Sequence, residues 1–213
     1  EVATGMKIKI GEFLSHYAQL SDEEHIRKMY RLQGYRFVQV TTRAVKVSRG
    51  VQVFFKVREG PRSTVRTIAV KGNRAFSNDE LKKLMDTKED GWFRRRPLDE
   101  EVLVSDLIKL RNYYRGEGYL DAEVYSLGYR YNRDLTRIKL TILVKEGPRY
   151  RIRKVTLDGN HLVTETEIRE RLTLKAGDFF LPVEAGKDQE RLKKLYGENA
   201  YLDAEIRYDY TYA

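Results

Sequence analysis

His16, His25 and His161 are the side chains best suited to proton transfer or metal ligation, and Asp99-Glu100-Glu101 is a run of carboxylates that could share acid–base work. None of the histidines has a metal-binding spacing such as His-Glu-x-x-His, and an ordinary surface or half-buried histidine accounts for each. The acidic run falls at the start of a predicted helix. There, carboxylates complement the partial positive charge of the free N–H groups, so paired acid–base catalysis is improbable. The chain has no cysteine, which removes disulfides, thiolate metal sites and cysteine nucleophiles together. It also has no glycine-rich phosphate loop after a strand and no serine-nucleophile motif. Neither an enzyme nor a cofactor is expected from these residues.

A different chemistry is suggested by Trp92-Phe93 followed by Arg94-Arg95-Arg96. Aromatic and cationic groups together suit an anionic lipid or nucleic-acid surface. The formal charge of +9, from 41 Lys+Arg against 32 Asp+Glu, favours anionic partners but does not choose among them. The ordinary reading of the arginines is a solvated loop, with Phe93 closing a core. The 15 tyrosines could stack on bases, which keeps a basic nucleic-acid-binding repeat protein as an alternative. Most of them fall on core or strand positions of the repeat described next, so no nucleic-acid partner is expected.

The elements that must carry these residues emerge from internal repetition, which is sought first because it decides the architecture. Glu59-Gly60-Pro61-Arg62 returns as Glu146-Gly147-Pro148-Arg149, and Lys71-Gly72-Asn73 returns as Asp158-Gly159-Asn160, both at an offset of 87. Tyr119-Leu120-Asp121-Ala122-Glu123-Val124 returns as Tyr201-Leu202-Asp203-Ala204-Glu205-Ile206, at an offset of 82, and a looser copy begins at Gly34-Tyr35. Before each copy stands an apolar triplet at helical spacing: Ile26, Met29 and Tyr30; Leu110, Tyr113 and Tyr114; Leu192, Leu195 and Tyr196. Glycine followed at +2 by phenylalanine precedes each of these helices, at Gly11, Gly91 and Gly177. With 41% hydrophobic and 34% charged residues, the units should be small, with thin cores.

Residues 60–146 read as one complete β-α-α-β-β unit. Val65 to Val70 is β-branched with period two and stops at the Gly72-Asn73 turn. Ser77 and Glu80 form a capping box for a short helix with Leu81, Leu84 and Met85 inward. Asp99 caps a longer helix carrying Leu103, Leu107, Leu110 and Tyr114, which ends near Gly116 to Gly118. A half-buried strand through Ala122, Val124 and Ser126 follows. Asn132 to Leu135 turn the chain, and Ile138, Leu140, Ile142 and Val144 lead back.

Residues 147–213 repeat the plan without a last strand. Val155 and Leu157 are expected in its first strand and Ile206, Tyr208, Tyr210 and Tyr212 in its second, with Thr164 and Glu167 as a capping box. Residues 1–59 lack the first strand and most of the first helix, and Ser21 with Glu24 is expected to cap the second helix. The sequence reads as an excised soluble fragment, with no apolar run near the ~18 residues that span a bilayer and no signal-peptide pattern after Glu1.

A unit of this length, with Glu-Gly-Pro before the first strand, Gly-Asn after it and Gly-Tyr-Leu-Asp-Ala before the second, resembles a POTRA (polypeptide-transport-associated) domain. The resemblance covers essentially the whole chain. Two departures stand out: Tyr35-Arg36-Phe37-Val38 in copy one, and Ala200 where the other copies have Gly34 and Gly118. POTRA arrays form the periplasmic arm of the BamA/TamA superfamily of outer-membrane β-barrel assembly factors. The resemblance implies an α+β fold: tandem modules, each a three-stranded mixed sheet covered on one face by two antiparallel helices. It also implies a periplasmic setting and attachment to a membrane β-barrel in the full-length protein. The implied partners are unfolded outer-membrane protein precursors and accessory assembly lipoproteins. A two-partner secretion or organelle import transporter is the alternative within the same fold.

In such domains the second strand is an edge, whose unpaired N–H and C=O groups accept another extended chain with little dependence on its sequence. The resemblance therefore points to Ala122, Glu123, Val124, Tyr125, Ser126, Leu127, Gly128 and Tyr129 as a polypeptide-binding edge. Glu59-Gly60-Pro61 and Glu146-Gly147-Pro148 are expected to act as short inter-module hinges that set direction.

Overall fold

β-Branched and aromatic residues alternate along Gln39–Val47 (β1) and Gly50–Arg58 (β2), and the two strands pair antiparallel, from Gln39 opposite Arg58 to Val47 opposite Gly50. The computed structural model describes residues 5–92 and 94–212, so Phe93 lies outside the described residues. It divides into two compact units. One contains Glu1–Lys71, Asn78–Asp106 and Ser126–Ile142; the other contains Gly72–Ser77, Leu107–Tyr125 and Leu143–Ala213.

In the first unit, the helix His16–Leu32 (α1) buries Ile26 with Val38 and Val40, and Tyr30, Tyr35, Phe55 and Val57 complete this small core. Its N-cap is Ser15, whose Oγ accepts the Ala18 N–H at 3.0 Å. This corrects the expectation for Ser21 and Glu24, which lie inside the helix. A serine followed by glutamate at +3 is a short pattern, and here the stronger start is the extended Ser15 backbone that frees its hydroxyl for the first turn.

The complete copy contributes Thr64–Lys71 (β3), Asn78–Leu84 (α2), Glu100–Gly116 (α3), Glu123–Tyr131 (β4) and Arg137–Lys145 (β5). The strand order is β3-β5-β4, so the last strand is central. The Thr64 N–H donates to Thr136 O at the start of both strands, and Gly72 meets Val144 O at their ends, which makes β3 and β5 parallel. β4 returns antiparallel into β5 through a turn in which Asn132 Oδ1 accepts the N–H groups of Thr136 and Arg137 at 2.9 and 2.8 Å. β5 is the most enclosed strand: Ile138, Leu140 and Ile142 are fully buried, as its central place requires. Asp99 caps α3 through the Glu101 and Val102 N–H groups, and Leu81 and Met85 are buried as expected. Leu84 is instead exposed. It is the last residue of α2, a helix of 7 residues.

In the second unit, Glu165–Arg171 (α4) opens on the Thr164–Glu167 capping box and packs with Pro182–Glu198 (α5). Val163, Ile168, Leu195 and Tyr196 form its core. The expected strands through Val155 and Leu157 and through Ile206 to Tyr212 do not form: both stretches run without ladders, and only an isolated bridge joins Arg151 and Phe179. The order β3-β5-β4 supplies the reason. The first and second strands of the complete copy each pair with its third and not with each other, and among the described residues the third copy has no such strand for either to pair with.

Asp22 of α1 accepts the Lys7 and Ile8 N–H groups at 2.6 and 2.9 Å. Asp106 of α3 accepts those of Asp86 and Thr87, both at 2.7 Å. Asp188 of α5 accepts those of Thr173 and Leu174 at 2.9 and 3.0 Å. All three carboxylates are buried, and each satisfies two main-chain donors on a preceding loop.

Candidate functional site

β4 lies at the edge of its sheet, so one row of its main-chain groups faces away from β5. Ala122, just before it, is buried and anchors its start. Glu123 pairs with Lys145 of β5 at 3.2 Å, and the same ammonium lies 5.4 Å from the Tyr125 ring centre. Val124, Tyr125 and Ser126 are half-buried and Leu127 is exposed. Gly128 lies within the strand with a φ of +90°, and its N–H donates to the Ser126 Oγ at 3.0 Å.

Beyond Gly128 the strand is held from the side by copy one. The Tyr129 hydroxyl donates to Glu100 Oε1 at 2.7 Å and accepts from Arg36 at 2.7 Å, while Arg36 also pairs with Glu100 and lies 5.2 Å over the Tyr129 ring. Phe37 meets Tyr131 edge-on, with ring centres 4.9 Å apart. The hydrogen bond from Tyr129 and then that from Arg36 hold the Glu100 carboxyl below its usual range. Burial, followed by the bond to Glu100, pushes the Tyr129 phenol up. Neighbouring groups thus favour a charged Glu100 and a neutral Tyr129. Arg36 and Phe37 belong to the stretch of copy one that departs from the repeat, and sequence reasoning assigned them no site role.

The two Glu-Gly-Pro joints share one construction. Arg62 Nε donates to Gln33 O at 2.9 Å and the Ser63 N–H to Gly34 O at 2.8 Å. Arg149 Nε donates to Glu117 O at 2.8 Å and the Tyr150 N–H to Gly118 O at 2.9 Å. Gly60 packs on Phe37 and Gly147 on Asp121. Glu146 is anchored as well, since its carboxylate accepts the Arg74 and Ala75 N–H groups and the Tyr114 hydroxyl. Pro61 and Pro148 follow within segments that form no helix or strand, as Glu59 does.

Trp92 is 93% exposed. Arg94 and Arg95 are also exposed, whereas Arg96 is pinned by its backbone, its N–H donating to Asp90 Oδ1 and its carbonyl accepting from Val65. The acidic run has three structural roles: Asp99 caps α3, Glu100 holds Tyr129, and Glu101 pairs with Lys28 at 3.0 Å. The three histidines are not drawn together, and among the described residues no cluster of three or more His, Cys, Asp or Glu side chains could hold a metal. Among the same residues, no helix is long and apolar enough to cross a membrane.

The chain is of the α+β class, with small sheets, helix pairs and a repeated Glu-Gly-Pro segment. The model of the POTRA family, described as a surface antigen variable number repeat, matches residues 63–147 and 150–212, and the chain belongs to that family. A Treponema pallidum relative is 31% identical over 198 residues, covering 91% of this chain. The outer membrane protein assembly factor BamA of Neisseria meningitidis serogroup B is 27% identical over 187 residues, covering 85% of this chain. The chain spans 24% of the length of each of these relatives. Among solved structures, POTRA3-5 of Haemophilus influenzae BamA is similar with a TM-score of 0.45 and 19% identity, covering 87% of this chain and 72% of that one.

Proposed function

We propose that this chain is the periplasmic scaffold of an outer-membrane β-barrel assembly factor, and that β4 binds unfolded barrel precursors or accessory lipoproteins by adding their extended segments to its sheet. The edge position of β4 is the observation that carries this reading. Main-chain pairing gives affinity with little sequence demand, which suits a host for many different unfolded clients. Family membership and the BamA relatives support the setting. In this reading residues 1–59, 60–146 and 147–213 act as three modules, and the Glu-Gly-Pro segments set their directions as restrained joints. Trp92, Arg94 and Arg95 are proposed to touch an anionic surface while the edge holds its client.

Amide chemical shifts test the central claim. The 15N-labelled chain is titrated with an unstructured peptide of about ten residues that alternates aromatic or aliphatic with polar side chains, as a barrel strand does. Shifts should begin at Glu123 to Leu127. A titration in which other amides move and those of β4 stay in place would sink the assignment.

A further inference from the structure

We infer that Arg36 and Phe37 of the first copy close the far end of the β4 edge, so that a guest strand pairs along Glu123 to Leu127 and stops at Gly128; this rests on the edge-binding reading above. Two independent features meet at that boundary. The Gly128 N–H is already bonded to Ser126 Oγ and is not offered to a guest. Past it, Arg36 holds the Tyr129 hydroxyl and covers its ring, and Phe37 packs on Tyr131. An added strand places its side chains about 4.5–5.5 Å from those of its neighbour on the same face. Continuing past Gly128, a guest would have to seat its residues against Tyr129 and Tyr131, where Arg36 and Phe37 already stand. Glu100, bonded to both Arg36 and Tyr129, fixes that arrangement.

The consequence is a docking length set within the fold. A guest of about five residues in contact is held by only a few main-chain bonds, which keeps binding reversible. The boundary is not a property of the strand alone, because half of it is contributed by a neighbouring copy. Movement of that copy away from β4 would lengthen the available edge, and return would shorten it.

The same peptide titration, run on the wild-type chain, on Arg36→Ala/Phe37→Ala and on Tyr129→Phe, tests this. The wild type should show shifts confined to Glu123–Leu127. The double variant should extend them through Tyr129 to Tyr131 and bind about two- to ten-fold more tightly, as one or two added hydrogen bonds imply. Tyr129→Phe, which keeps the ring and removes only the hydroxyl, should extend the footprint partway with the fold intact. A wild-type footprint running to Tyr131 overturns the boundary, and an unchanged footprint in both variants overturns its closure by Arg36 and Phe37; either leaves the edge reading standing. Absence of any β4 shift in all three proteins overturns the edge reading and this inference together.

Discussion

Arg149 reaches across the joint after β5 to place its Nε 2.8 Å from the Glu117 carbonyl, the same relation that Arg62 has to Gln33. In both joints the acceptor lies at the end of a helix that closes on a glycine in the left-handed region, Gly34 at φ +99° and Gly118 at φ +91°. The following tyrosine N–H returns to the helix, Tyr35 to Tyr30 O and Tyr119 to Tyr114 O, as in a Schellman closure. The incoming arginine therefore satisfies a carbonyl that the helix itself leaves free.

Gly34→Ala should loosen the first joint. A methyl built there would stand 2.8 Å from Ser63 O, and the φ adds about 1–2 kcal/mol for any L side chain. Gly177 separates the two effects, since it has φ +95° but nothing within 4 Å. In urea denaturation Gly34→Ala should lose more stability than Gly177→Ala, and its Ser63 amide should gain hydrogen exchange. Equal losses would mean that the close approach carries no weight.

Ala200 occupies the corresponding left-handed position in the third copy, at φ +66°, and the closure still forms, with the Tyr201 N–H donating to Tyr196 O at 2.9 Å. Ala200→Gly should remove the strain and stabilise the second unit by about 1 kcal/mol. Thermal or urea unfolding monitored at Tyr196 and Tyr201 would register this; an unchanged or lowered midpoint contradicts it.

Much of this architecture was legible because turn and helix-face residues are demanding: Gly-Asn, Glu-Gly-Pro and the apolar triplets that end on Tyr30, Tyr114 and Tyr196 recur wherever the backbone makes the same move. The buried aspartates were equally visible, since Asp22, Asp106 and Asp188 each stand eight residues before Tyr30, Tyr114 and Tyr196. They were missed because a carboxylate in a helix reads as solvated until the loop donors that surround it are known. Ser21 misled for the opposite reason, a motif of two residues being too short to exclude a coincidence within a helix. The alternation from Ile206 to Tyr212 reads as a strand, but a strand exists only through its neighbour: none forms there, and Tyr208, Tyr210 and Tyr212 are all exposed. The contact of Arg36 with Tyr129, 93 positions apart, depends on how copy one meets copy two, which residue spacing does not encode.

Replacing Asp106 by alanine should destabilise the first unit by about 2–4 kcal/mol. It strands the Asp86 and Thr87 N–H groups, which have a buried carboxylate as acceptor. Asp106→Asn keeps one acceptor oxygen and should lose less. Chemical denaturation of the two variants checks the order, and an alanine variant as stable as the asparagine one would deny the carboxylate its role in fixing that loop.

Trp92 supplies an optical reporter for the anionic-surface proposal. Vesicles containing phosphatidylglycerol should shift its emission to the blue and pure phosphatidylcholine vesicles should not, with Arg94→Glu/Arg95→Glu abolishing the difference. Identical emission with both vesicle types would leave the loop as solvated surface.

The Glu100–Tyr129 bond makes the closed end of β4 sensitive to acid. Glu100 is held below the ordinary carboxylate range, first by the Tyr129 hydroxyl and then by Arg36. Its contribution to folding is therefore present above the unfolded value, near pH 4.3, and is lost as pH falls through the lower folded value. Through the neutral range the tether should hold, and Tyr129 and Arg36 should be released together only in acid below the ordinary carboxylate range. Carboxyl-detected NMR titration of Glu100 measures the midpoint directly. Tyr129→Phe should move that midpoint upward towards the ordinary range, because it removes the largest stabilising bond to the charged form. A midpoint indifferent to the hydroxyl would show that the carboxylate does not hold Tyr129, and the closed end of the edge would then depend on Gly128, Arg36 and Phe37.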